Sequence, residues 1–207
     1  MGTSFIIMKT RQNAGLRKPE ILKNFYDILI EEGIEGASIA KIAKRMDIHP
    51  SLIMHYFSTK EKLVIAAVDH IVREYGVLIQ RMEARTTDPA RRLERLVDTL
   101  VGDEWYRMTE IAADFSVISI SFRNGEIDER IRRLYAFYKT FLAGEFRALG
   151  EAGVIGRRDP QRTAEIVMSL LEGYRHFKHF YVGDEDAESY RNDMKRALLQ
   201  LLGAVGD

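Results

Sequence analysis

Between Ser38 and Leu63 the chain carries two short apolar stripes only a few residues apart, and that spacing leaves little choice in how the segment folds. Ile39, Ile42, Ala43 and Met46 fall at i, i+3, i+4 and i+7, one face of a helix. Ser38 stands just before them, where its hydroxyl can accept from an otherwise orphaned amide of the first turn. Ala43 is small, which suits a close helix crossing. Asp47, Ile48 and His49 make a turn. Pro50, with no amide hydrogen and a pre-set φ, then fits the first turn of a new helix. On that helix Ile53 and Phe57 point inward, Ser51 and His55 outward, and Leu52 and Met54 lie on the flanks. A third helix opens at Lys60. The expected layout is a helix-turn-helix, whose chemistry is to hold a nucleic-acid duplex rather than turn over a substrate.

The rest of the chain reads as helix throughout. A first helix is expected over about 17–32, with Ile21, Leu22, Phe25, Ile28 and Leu29 inward and Gly33 as its stop. Residues 1–15 read as an irregular, flexible basic arm bearing Lys9 and Arg11. One long helix follows the motif over 59–85. Asp88-Pro89 and Asp159-Pro160 are paired start signals, an N-cap followed by proline at the first helical position. They open helices to about 101 and 182. Others are expected over 103–122, broken by Asn124-Gly125, over 126–151, and from about 186 to 202. No segment alternates with period two for long. The fold class is all-α, about nine helices, with a head over 16–62 and a larger helical body over 63–207.

Composition limits the function. With 207 residues, 46% of them hydrophobic and 30% charged, the chain has enough apolar material for a real core. It has no cysteine, hence no disulfide framework and no thiolate metal site, and no cofactor is expected. No apolar run approaches the ~20 residues of a membrane span, and the opening MGTSFIIM lacks the charged segment of a secretion signal. A soluble, cytoplasmic protein with no membrane partner is expected. Formal charge is zero overall, but residues 1–62 hold 10 Lys or Arg against 7 Asp or Glu, leaving +3 on the arm and head together and −3 on the remainder. That sign suits a DNA-facing head.

Taken in order, Gly33, Ser38, Ile42-Ala43, the turn 47–49, Tyr56-Phe57 and Lys60-Glu61-Lys62-Leu63 resemble the N-terminal domain of TetR-family transcriptional repressors. Several elements agree in both order and spacing over roughly the first third of the chain. The resemblance implies that the helix over 50–56 enters the major groove of an operator. It implies phosphate contacts from Ser38 and Lys60, the latter also standing at a helix N-terminus. Three positions depart from the family pattern. Asp47 replaces the turn glycine, His49 the usual polar residue opening the recognition helix, and Met54 the tyrosine that commonly meets phosphate.

The expected DNA-binding set is therefore Ser38, Pro50, Ser51, Leu52, Met54, His55, Tyr56 and Lys60. It offers no Arg for guanine and no Asn or Gln for adenine. Readout is expected to lean on thymine methyls meeting Pro50, Leu52 or Met54, with His55 as the polar reader and DNA shape supplying the rest. His49 is expected to serve the turn.

In the body, the helix over 160–182 is apolar on two sides and must bury both. Val167, Leu170, Leu171, Tyr174 and Tyr181 form one side; Ile166, Phe177 and Phe180 form the other. The final helix carries Tyr190, Met194, Ala197, Leu198, Leu201 and Leu202. The family dimerises through this pair, which implies a homodimer using Val167, Leu171, Tyr190, Met194, Leu198 and Leu201. The resemblance also implies a cavity for a small-molecule effector, apolar or aromatic in character. Trp105, Met108, Phe115, Phe137, Phe141 and Tyr174 are its expected lining.

Enzyme motifs do not support a rival. There is no phosphate-cradling loop, nucleophile elbow or zinc-binding His-Glu-x-x-His. His176 and His179, three apart, leave a metal-binding enzyme as an alternative, and a dimeric protein-binding adaptor is another. The adaptor would leave residues 50–56 without a task.

Overall fold

The computed structural model describes residues 3–83, 87–102, 111–183 and 185–204, with the backbone alone over 3–16, 74–75, 78–83 and 112–113. Among the described residues there are nine α-helices and no strand, as the all-α expectation required. They are α1 (Thr3–Gly36), α2 (Ile39–Arg45), α3 (Pro50–Phe57), α4 (Lys60–Glu83), α5 (Pro89–Val101), α6 (Ile111–Ser121), α7 (Gly125–Glu151), α8 (Pro160–Tyr181) and α9 (Ala187–Leu202). The chain divides into two compact units, Met1–Ile71 with Ala112–Arg130, and Val72–Ile111 with Ile131–Asp207.

In the first unit, α1 begins at Thr3, so residues 3–15 are helical rather than irregular. Gly15 and Pro19, both poor helix formers, conceal that continuation in the sequence. The expected inward face is buried: Ile21, Leu22, Phe25, Ile28 and Leu29. At Gly33 the backbone turns to φ 70° and ψ −178°, a conformation open essentially to glycine alone. This breaks the helix and lets the chain double back into α2, where Ile42 and Ala43 are buried.

The turn beyond α2 puts Asp47 at φ 51°, in the left-handed region that a short polar residue tolerates. Helix α3 buries Ile53 and Phe57, and α4 buries Leu63, Val64, Ala67 and Val68. The corner between α6 and α7 belongs to this unit as well. Val117 and Ile127 are buried there, and the Asn124 carboxamide oxygen caps α7 by accepting from the amides of Glu126 (3.0 Å) and Ile127 (3.2 Å).

In the second unit, both Asp-Pro signals act as read. Asp88 accepts from the amide of Ala90 at 3.0 Å, and Asp159 from that of Gln161 at 3.0 Å. Helices α5, α7, α8 and α9 share one core that includes Leu96, Leu100, Leu142, Phe146, Val167 and Leu198. One buried charge sits beside it. Glu145 is held by Arg92, whose Nε donates at 2.6 Å while a second nitrogen takes the other carboxylate oxygen. A buried carboxylate is tolerated only when so paired. Gly203 ends α9 in the left-handed conformation, and the amide of Gly156 donates to Leu202 at 2.9 Å, fastening the end of α9 to the α7–α8 loop.

Gly33→Ala should cost about 1–3 kcal/mol from backbone conformation alone, because no atom lies within 4 Å of the added Cβ. Gly76→Ala, inside α4 with equally open surroundings, should instead stabilise by about 0.5–1 kcal/mol. Chemical denaturation of both variants beside the wild type checks the opposite signs.

Candidate nucleic-acid interface

Helix α3 is eight residues long, and its two ends fix what it can present. At the start, His49 is the N-cap: its Nδ1 accepts from the amide of Ser51 at 3.3 Å and lies 2.8 Å from the Ser51 hydroxyl. At the end, Ser58 turns to φ 59° and donates its amide to Met54 at 2.8 Å. With Ile53 and Phe57 inward, Pro50, Ser51, Met54 and His55 face solvent, while Leu52 and Tyr56 are half-buried. Met54 is 41% exposed, a large apolar side chain left on the surface. His55 meets Tyr56 edge-on at 5.4 Å. This outward face carries no formal charge at neutral His.

Beneath α3, helix α2 is clamped onto α1. Ser38 caps α2 by accepting from the amide of Lys41 at 3.2 Å. Arg45 grips Glu31 with both guanidinium nitrogens, at 2.7 and 2.9 Å, and Lys41 pairs with Glu32. The Arg45 bond holds the Glu31 carboxyl below its ordinary value of 4.5, outweighing the opposing effect of burial. Lys60 is also engaged: its ammonium donates to the Ile34 carbonyl at 2.9 Å, tying the start of α4 to the segment after Gly33. Two of its three protons remain for another acceptor. Lys44 is exposed on the same unit.

Two contacts join α4 to the α6–α7 corner. Asn124 donates to Glu61 at 2.6 Å, and Arg130 donates through Nε to Asp69 at 2.8 Å. Burial works against the Arg130 charge, but its bonds to Asp69 and Glu126 prevail and raise its pKa. Sequence reading did not foresee these partners, because the residues stand 63 and 61 positions apart.

The body candidates fall differently. Trp105 and Met108 lie outside the described residues. Phe115 belongs to the first unit, and Phe137, Phe141 and Tyr174 to the second. Phe115 and Phe137 are exposed, whereas Phe141 and Tyr174 are core. Tyr174 stacks on Tyr190 at 5.2 Å, and its hydroxyl donates to the Val101 carbonyl at 3.4 Å.

Of the six expected dimer residues, four face inward. Val167, Leu171, Met194 and Leu198 are buried in the chain's own core, with Tyr190 and Leu201 packed against it. Those four offer little surface to a second chain, whereas Tyr190 and Leu201 keep part of theirs. The exposed apolar side chains of α8 include Ile166, Phe177, Phe180 and Tyr181. His179 rests edge-on against Phe180 at 4.7 Å. Among the described residues, no group of three or more His, Cys, Asp or Glu could hold a metal ion, and no helix is long and apolar enough to cross a membrane.

Residues 21–67 match the family described as bacterial regulatory proteins, tetR family, and residues 88–204 match the tetracyclin repressor-like C-terminal domain. The chain is 26% identical over 121 residues to the HTH-type transcriptional regulator BetI of Brucella anthropi, and 29% identical over 121 residues to that of Burkholderia ambifaria. Each alignment takes in 58% of this chain, and 62% and 60% of those relatives, so the chain spans about three fifths of their length. The fold is similar to a TetR transcription regulator from Haloarcula marismortui, with a TM-score of 0.76, 21% identity, and 91% of this chain and 97% of that one covered. It is also similar to a regulator from Saccharomonospora viridis solved in complex with choline, with a TM-score of 0.78, 18% identity, and 90% and 96% covered.

The Glu31–Arg45 clamp has a pH signature. A carboxylate whose folded pKa is lowered adds stability that is fully present above its unfolded value and is lost as pH falls through the folded one. The melting temperature of the wild type should therefore exceed that of Glu31→Gln at neutral pH. The gap should close as pH drops below 4.5. A gap that stays constant down to pH ~3 would contradict the pairing.

Proposed function

The chain belongs to the TetR family of bacterial regulatory proteins, and from that membership we propose that it is a ligand-responsive repressor that binds a palindromic operator as a homodimer and lets go when a small effector occupies its body. The family is one of transcriptional regulators, not of enzymes. The observation that carries the reading is α3 itself, a short helix with Ile53 and Phe57 anchored inward and Pro50, Ser51, Met54 and His55 turned out. A helix of that size and posture fits a major groove, where its first residues meet base edges.

Readout rests on apolar contact. Pro50, Leu52 and Met54 meet thymine methyl groups, and His55 supplies a polar contact. Ser38, Ser51, Tyr56 and Lys60 meet the backbone. One head offers too little surface for tight, specific binding, so two act together. The exposed α8 face, with Phe177 at 56% and Tyr181 at 78% exposure, supports the second copy docking there. The effector acts by binding the DNA-free state better than the DNA-bound one. The Asn124–Glu61 and Arg130–Asp69 contacts support transmission, since movement of the first turns of α7 is felt directly by α4.

An apolar or aromatic effector suits the aromatic composition of the body. The similarity to the choline-bound regulator of Saccharomonospora viridis favours a second reading, a small organic cation held on aromatic faces. Adding choline or an uncharged aromatic compound to the preformed complex with DNA separates the two by which one releases the duplex. The protein would work in the cytoplasm, where its operator is.

Selecting bound duplexes from a random pool tests the reading: a two-fold symmetric consensus is expected, and recovery of no consensus would overturn it. Leu52→Asn should shift the preferred base at one position per half-site. Phe177→Glu should convert a dimer to monomers in sedimentation at micromolar concentration and weaken operator binding, while leaving the helical content unchanged.

A further inference from the structure

His49 was assigned to the turn, and the structure gives it that role, yet the role uses only one of its two ring nitrogens. The Ser51 amide can only donate, and it points at Nδ1 from 3.3 Å. Nδ1 must therefore carry a lone pair and not a proton. A neutral imidazole has one proton, so it resides on Nε2. The Ser51 hydroxyl, 2.8 Å from the same Nδ1, is compatible with this tautomer as a second donor. The cap thus fixes both the tautomer and the ring at the entrance of α3, on a residue that is exposed to solvent.

We infer that His49 reads or grips the duplex through its Nε2–H, as a pre-oriented neutral donor to an acceptor atom of the DNA. The inference rests on the DNA-binding reading and adds a polar donor at the start of α3, where the helix otherwise presents Pro50. The donor is pre-oriented, because capping has already fixed the ring before DNA arrives. The acceptor is a base atom in the major groove (guanine O6 or N7, adenine N7, thymine O4) or a phosphate oxygen.

Separating the contact from the cap needs a variant that keeps one and loses the other. His49→Ser retains an oxygen able to cap the Ser51 amide but has no ring donor. Its melting temperature should stay at or above that of the wild type, while operator affinity falls roughly tenfold. His49→Asn, with a capping oxygen and an amide donor, should recover part of that loss.

Repeating the duplex selection with His49→Ser identifies the acceptor. A lost preference at one position per half-site means a base, and uniform weakening means a phosphate. Nitrogen chemical shifts of the free protein should find His49 protonated at Nε2. Three outcomes overturn the inference: a proton on Nδ1, a His49→Ser protein that binds as tightly as the wild type, or the same loss of affinity in His49→Asn as in His49→Ser. A wild type that retains no duplex at all overturns the DNA-binding reading, and this inference falls with it.

Discussion

An eight-residue helix is not stable alone in water, because nucleating it costs more than its few internal bonds return. Everything the head does depends on how α3 is held from outside. Ile53 and Phe57 anchor it, Pro50 and the His49 cap set its start, and the positive φ of Ser58 closes it. Helix α2, at seven residues, is no more independent, and it is pinned to α1 by Ser38, Lys41 and Arg45. The outward face of α3 is therefore a tertiary product. Damage to the buried face of α1 would destroy it without touching a residue of that face.

The ion pairs change how the head's positive charge should be counted. Arg45, Lys41 and Lys60, which a count of residues would assign to phosphates, are already engaged by Glu31, Glu32 and the Ile34 carbonyl. The two ion pairs lie at the surface, where solvent screening leaves an ion pair contributing little. A phosphate can displace such a carboxylate at little cost. The clamp organises α1 and α2 in the free protein. The outward face of α3 carries none of these charges, only uncharged side chains and His55.

The sequence revealed what periodicity and caps encode, and concealed what depends on partners distant in the chain. Both Asp-Pro starts, the buried stripe of α1, the Ser38 cap and the α3 anchors were legible, because each is a local pattern with one physical reading. Val167, Leu171, Met194 and Leu198 were legible as apolar but not as to what they face. Spacing says that a stripe must be buried; it does not say whether the cover is the same chain or another. The continuation of α1 to Thr3 was obscured by Gly15 and Pro19. Lys60 bonding to Ile34, and Glu145 to Arg92, left no trace in the sequence, because a charged residue looks alike whether solvated or paired.

The head is not a contiguous piece of chain. Residues 112–130 fold with it, bringing Ile127 into its interior and placing Asn124 and Arg130 against α4. A fragment ending after α3, or even at residue 71, would lose these partners and leave Glu61 and Asp69 without theirs. Within this unit the first turns of α7 hold α4 by a carboxamide and a guanidinium, so the N-terminal segment is completed by partners that stand 63 and 61 positions further along the chain.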